Sequence, residues 1–296
     1  MNLPIIKHRA LWFFVGGAYT LLAVVMLVAF GLKFGIEYTG GSLLEVEYTN
    51  TRPEVSALHE RLGAVDIRDA EVKYAGDQGV IFRFRDIDEE AHQRIVSELK
   101  KDDEKLSERA FQSIGPVIGS ELRSKSLWAL AVAIALICLY IAFVFRKVSF
   151  PVSSWKYGIV ALVTLFHDAL FTLGAFALLG KYAGIEITGA FIPAILTVVG
   201  FSIHDTIVVF DRIRENLQKH RGSFEEIVNI SINQTIVRSI NTTFTVLLVL
   251  MAIFFFGGES LKYFALALIL GIGVGTYSSI FIASPLLVMW HNVKKK

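Results

Sequence analysis

Two acids stand where acids are costly. Asp168 and Asp205 lie inside apolar runs, Tyr157 to Gly180 and Ile187 to Phe210, and each directly follows a histidine, His167 and His204. A charged side chain at the centre of a membrane helix costs about 2.5 to 3.5 kcal/mol on insertion scales, so it faces protein or water and usually has a partner. Asp168 is 11 residues from Tyr157, roughly 16 Å along a helix, which puts it near the middle of its run. Asp205 falls in the inner half of its own. Counted inward from Gly257, Arg238 reaches a similar depth on the following run, so the two can meet. Gln234, Arg238, Asn241, Thr242 and Thr245 recur at three and four residues and predict a polar stripe on one helix face. Ser202, Asp205 and Arg212 share a face on the preceding run. An acid that gains and loses a proton beside a fixed guanidinium, with hydroxyls and amides to hold water, is the minimum for a proton relay.

Blander readings compete. Asp205 and Arg238 also fit a structural ion pair, or an Arg238 that snorkels to the inner surface. His167 and His204 precede the acids by one residue and so point roughly 100° away on a helix. Both are read as hydrogen-bonded packing residues. No basic partner can be named for Asp168, and a helix–helix hydrogen bond is its alternative.

The elements that position these residues follow from composition. Of 296 residues, 54% are hydrophobic and 19% charged, and the mean hydropathy of +0.55 is far above that of a water-soluble domain. The net charge of +2 gives nucleic-acid binding no support, and the lone Cys138 excludes a disulfide framework. A membrane-crossing helix needs about 20 apolar residues. The stretches 11–32, 127–145, 157–180, 187–210, 239–258 and 263–290 meet that length. Residues 1–10, the 211–238 loop and the basic 291–296 tail then fall on one side. There Lys7, Arg9, Arg146, Lys147, Lys156, Arg212, Arg214, Lys219, Arg221, Arg238 and Lys294 to Lys296 outnumber Lys181 and Lys262 opposite. The positive-inside rule makes both termini cytoplasmic and segment 33–126 extracytoplasmic. The first run is too long for a signal peptide and reads as an uncleaved anchor.

The outer segment has soluble-domain grammar. A strand is expected over Ser42 to Thr49, a helix opened by Arg52-Pro53 through Leu62, strands at Ile67 to Tyr74 and Val80 to Phe84, a helix from Asp88 to about Lys101, and a strand at Arg109 to Ile114. That order, β-α-β-β-α-β, predicts a ferredoxin-like α+β domain between the first two of six transmembrane helices. His59 and His92 read as exposed helix residues. In the last run Gly271, Gly275, Ser279 and Ala283 form a small-residue ladder suited to close helix approach and a candidate surface for a partner. Pro193 and Gly200 are candidate bends in the fourth run. Walker A, HExxH and GxSxG sequences are all missing. Nothing calls for an enzyme, a cofactor or a metal.

Several blocks carry a resemblance. Phe34-Gly35-Ile36-Glu37-Tyr38-Thr39-Gly40-Gly41 is similar to an FGIDFTGG signature, and Gly115-Pro116-Val117-Ile118-Gly119-Ser120-Glu121-Leu122 to a GPxxGxEL pattern. With Gly200 to Asn216 and Ser231 to Arg238, they make the chain resemble the SecF branch of the SecD/SecF protein-export family over essentially its whole length. The resemblance implies one half of an assembly with SecD, akin to resistance-nodulation-division transporters. It further implies a proton-driven role beside the SecYEG channel and the SecA motor in moving unfolded preproteins across the inner membrane, with YajC as accessory. It carries the family's intramembrane acid onto Asp205 and its basic partner onto Arg238. His204 departs from the family's frequent Asn, so no role carries over to it. A small-molecule exporter subunit and a purely structural scaffold are the competing readings. The short outer segment speaks against the first, and the second requires Asp205 to be dispensable.

Overall fold

The computed structural model describes residues 3–144 and 152–293. Arg146, Lys147 and Lys294 to Lys296, used above for orientation, and the end of the second run at Phe145 lie outside them. In chain order a 3₁₀ turn (Ile6–His8) leads into α1 (Arg9–Phe30), a single-turn α2 (Ile36–Thr39), β1 (Gly41–Glu47), α3 (Val55–Gly63), β2 (Glu71–Ala75), β3 (Gly79–Phe84), α4 (Glu89–Leu99) and β4 (Ser107–Ile114). Then follow α5 (Pro116–Val144), α6 (Ser154–Ala183), α7 (Phe191–Lys219), α8 (Phe224–Phe256), α9 (Glu259–Ser278), a π-helical turn (Ser279–Ala283) and α10 (Ser284–Val293). The contacts divide them into two units, Phe34–Leu127 and Met1–Lys33 with Trp128–Lys296.

In the first unit the strand order is β2-β3-β1-β4, and every neighbouring pair is antiparallel. Alternation along β1 and β3 sends Leu44, Val46, Val80, Phe82 and Phe84 to one face, where Leu58 and Leu62 of α3 and Ile95, Val96 and Leu99 of α4 cover them. Several local expectations need correction. Pro53 precedes α3 rather than opening it, because Glu54 is its extended N-cap, and the Pro53 carbonyl instead accepts the Tyr74 hydroxyl. The second strand starts at Glu71, after a turn in which Asp66 takes a positive φ of 63°. His92 is buried rather than exposed: it stacks on Phe111 at 3.8 Å, with Glu89 and Glu108 at its two ring nitrogens. Residues 92, 95, 96 and 99 share one helix face, so the apolar stripe carries His92 inward. His59 is exposed.

Asp103 staples this unit. Its carboxylate accepts the Thr49 amide at 2.6 Å and the Lys105 amide at 3.0 Å. The Thr49 bond foremost holds its carboxyl below the ordinary 3.8. A carboxyl lowered by folding contributes stability that is complete above the unfolded value and is lost as pH falls through the folded one. Amide-exchange protection in β1, corrected for intrinsic rates, is therefore expected to fall on acidification below about pH 4. In Asp103→Asn it is lower at neutral pH and flatter toward acid. A wild-type profile with no such fall would contradict the staple.

In the second unit, and counting the start of α5, six helices among the described residues are long and apolar enough to cross a membrane. The chain forms a polytopic helical membrane protein. α6, α7 and the last span bury about half or more of their apolar windows, whereas α1, α5 and α8 bury little. Close packing has a sequence cause. Cβ positions built on Gly174 and Gly271 fall 2.5 Å from Ala23 Cα and 2.3 Å from Val198 Cγ2, so α1 meets α6, and α7 meets α9, at glycines. Pro193 sits in the first turn of α7, where proline is tolerated, and α7 runs on as one helix. The irregularity falls in the last span instead, as the π turn. The 211–238 segment is an extension of α7, a short turn and the start of α8. Asp211–Arg214, Arg212–Glu215 and Glu215–Lys219 pairs line the extension, and a Ser223/Glu226 capping box starts α8.

Candidate functional site

The helical period of α7 sends Ser202, Asp205 and Thr206 into the bundle, all buried. Asp205 Oδ2 accepts the Thr276 hydroxyl of α9 at 3.0 Å, and Thr276 lies 2.5 Å from the Thr243 hydroxyl of α8. Thr276 has one proton to give. With it on Asp205, Thr243 donates to Thr276, and three helices are tied through one carboxylate. His204 and Arg238 lie within Coulombic reach of Asp205. Arg238 therefore stands near the acid without a direct ion pair among the described contacts.

The polar stripe of α8 is present as a surface. Gln234, Arg238, Asn241, Thr242 and Thr245 are all exposed, as is His204 of α7. Gln234 accepts from Arg212 at 2.7 Å and from Asn216 at 2.8 Å. Ser202, Asp205 and Arg212, expected on one face, thus reach three different partners: Asp168, Thr276 and Gln234. A row of amides, hydroxyls and a guanidinium on a membrane helix needs protein or water against it.

Asp168 forms a separate cluster. It is 1% exposed, and its Oδ1 is hydrogen-bonded to His167 Nδ1 at 2.9 Å while Oδ2 accepts from Ser202 at 2.5 Å and Ser278 at 2.8 Å. The expectation that His167 points away from its neighbour is wrong. The ring bends back along the helix surface, which the 100° offset between Cα positions does not prevent.

The ladder of small residues faces inward too, and is not a partner surface. A Cβ on Gly275 would lie 3.1 Å from Ser202 Cβ and 3.6 Å from Asp168 Oδ2, and Ser279 bonds Thr206 at 2.8 Å. The ladder lets α9 press against α7 and Asp168. Thr243, Thr276 and Ser278 escaped the sequence reading. Hydroxyls in apolar helices usually bond the carbonyl four residues back, as Thr164 and Thr172 do, and spacing alone does not single out those that turn to an acid.

The motif glycines belong to the other unit. Gly40 ends α2 with φ 74° and ψ 165°, and Gly41 opens β1 opposite Ile114. A Cβ on Gly40 would sit 2.7 Å from Pro116 Cα, and one on Gly119 2.7 Å from Gly40 N. The two motifs therefore lock together by backbone contact. Gly35 is the extended N-cap of α2, and Gly115 has open space around it.

The sequence matches the family described as protein export membrane protein SecD/SecF, C-terminal, over residues 94–293, and the SecD/SecF GG motif over residues 25–51. It is 42% identical to a protein named protein translocase subunit SecF from Thermobaculum terrenum, covering 98% of this chain and 94% of that one. A relative of the same name from Anaerolinea thermophila is 39% identical over 98% and 94%. Among solved structures it is similar to SecDF, a translocon-associated membrane protein from Thermus thermophilus, with a TM-score of 0.85 and 32% identity. That likeness covers 99% of this chain but 39% of the SecDF chain.

Proposed function

The chain belongs to the SecD/SecF family of protein-export membrane proteins, and from that premise we propose that it is an accessory subunit of the Sec protein translocase that, with SecD, uses the proton gradient to promote preprotein translocation. The observation that carries this reading is the exposed stripe of Arg238, Asn241, Thr242 and Thr245 beside the buried Asp205. Polar groups in the membrane must be covered, and membrane helices of a SecD subunit are the natural cover. The larger SecDF chain, of which this one spans 39%, supports such a partner. In this reading Asp205 takes and releases the proton beside Arg238, and Thr276, with Gln234, Asn241 and Thr242, orients water and side chains around it. Protonation removes the attraction to Arg238, which gives the α7–α8 pair two arrangements to move between.

The other unit we read as the ferredoxin-like, extracytoplasmic domain that meets unfolded preprotein, with its β-α-β-β-α-β order and all-antiparallel sheet in support. The charge bias supports an inner-membrane protein with both termini cytoplasmic. SecYEG, SecA and YajC are the further partners of this reading. The relatives are named as translocase subunits, a transport-accessory role rather than a catalytic one. Depleting the chain from its cells is expected to slow pulse-chase export of a secreted preprotein. Dissipating the proton gradient then adds little further slowing. Unchanged export after depletion, with SecD levels maintained, would remove the reading.

A further inference from the structure

The proton relay proposed above leaves one buried ionisable cluster unused. His167 and Asp168 sit deep in the bundle, with side chains 8% and 1% exposed. The carboxylate is held from three helices' worth of donors: His167 of α6 on Oδ1, and Ser202 of α7 and Ser278 of α9 on Oδ2. With Asp168 ionised, the carboxylate can only accept, and His167 carries its proton on Nδ1. Nε2 is then left facing α1, buried and without a hydrogen-bond partner. A Cβ on Gly16 would come 3.6 Å from it. A buried, unpartnered ring nitrogen costs on the order of 1 to 3 kcal/mol, so an idle packing residue is a poor account of this geometry.

A second observation falls at the same place. The π turn Ser279–Ala283 begins directly after Ser278, and its Ile282 side chain packs where α1 has Gly16, next to His167. Single π turns inside α-helices recur at functional positions. Here the turn lies between the hydroxyl that binds Asp168 and the Ile282 side chain that, like His167 Nε2, lies against Gly16. The charged and titratable surroundings are sparse. On α6 the pair itself is the charge, and His167 is the ionisable group acting on Asp168. α7 offers Ser202, with Asp205 a turn further on and engaged with Thr276. α9 offers Ser278 and Tyr277, whose hydroxyl donates to the Trp12 carbonyl, and α1 offers Tyr19, edge-on to Phe171.

We propose that His167 and Asp168 form a second proton-binding site, separate from Asp205, in which a proton taken up at His167 Nε2 neutralises the net charge of the pair whose carboxylate is held by Ser202 and Ser278. The step is an acid–base exchange with water: hydronium gives its proton to the Nε2 lone pair, an N–H bond forms, and water leaves. The pair passes from one net negative charge to none, and nothing is oxidised. Its two serine donors stand on α7 and α9, the same helices that carry Asp205 and Thr276. A change of charge beside Asp168 therefore bears on the helices that frame the relay.

The test reads proton occupancy rather than export, so it stands or falls apart from the translocase reading. The full chain, labelled with ¹⁵N-histidine in lipid nanodiscs, is titrated from about pH 5 to 9, the range in which imidazoles change charge. His167→Gln identifies the signals by their loss. The expected result is an imidazole-to-imidazolium transition at His167 that shifts by at least about one pH unit, tenfold in proton affinity, in Asp168→Asn. Should that variant fail to accumulate, Ser202→Ala keeps both members of the pair and is expected to give a smaller shift. Asp205→Asn is expected to leave the His167 transition in place. A His167 fixed in one protonation state throughout, or a transition indifferent to both Asp168→Asn and Ser202→Ala, overturns the site. A transition abolished by Asp205→Asn overturns its independence.

Discussion

Asp205→Asn slows export of a secreted preprotein by at least about tenfold, equivalent to about 1.4 kcal/mol on the limiting step, while the chain and SecD accumulate normally. The two halves of that expectation have different causes. Asparagine keeps the size of aspartate and retains a carbonyl oxygen for the Thr276 hydroxyl, so the tie between α7, α8 and α9 through Thr276 and Thr243 survives. What disappears is the titratable group and its attraction to Arg238. A structural role would be largely preserved by this substitution, and a proton-carrying role would not. Pulse-chase export with immunoblots of both proteins separates the two. Normal export at normal levels would return Asp205 to a packing role. Arg238→Gln is expected to act in the same direction, because the guanidinium lies on an exposed face where its loss leaves no core cavity.

How much of this was legible in the sequence depends on how far apart the cooperating residues lie. The membrane helices were visible as long apolar runs, two of them broken only by a His-Asp pair, because a bilayer-spanning helix must satisfy its backbone internally and so announces itself by length. Asp205 and Arg238 came into relation by counting depth, a one-dimensional argument that a membrane uniquely permits. Partners across helices were a different matter. That Ser202 turns to Asp168 rather than joining Asp205, and that Thr276 is the hydroxyl on Asp205, depends on how α6, α7 and α9 rotate about their axes. The glycines that fix those rotations were visible, but a ladder of small residues does not say which neighbour it admits. His92 marks the limit within soluble grammar. Its place on the face of Ile95, Val96 and Leu99 was readable, yet its residue type argued for the surface.

The largest stability effect is expected at Gly40, in the unit Phe34–Leu127. Gly40→Ala meets two penalties at once. With φ 74° and ψ 165° the backbone occupies a region essentially reserved for glycine, which costs a side chain about 1 to 3 kcal/mol. The added Cβ would lie 2.7 Å from Pro116 Cα and 3.0 Å from Pro116 N, and overpacking of that kind costs a further 1 to 3 kcal/mol or so. These are backbone atoms at the start of α5, so no rotamer change relieves the clash. β1 begins at the next residue and pairs with Ile114, so the disturbance enters the central strand and its β4 neighbour together. A domain has only about 5 to 15 kcal/mol to lose. Gly40→Ala membranes are therefore expected to show rapid proteolysis within residues 34–127 and lost amide protection in β1 and β4. Gly115→Ala, in the same motif pair but with nothing within 4 Å of its Cβ, is expected to stay within about 0.5 kcal/mol of wild type. If both variants resist protease equally, the interlocked glycines are not what holds this unit together; if only Gly40→Ala fails, the two motifs are a single backbone joint.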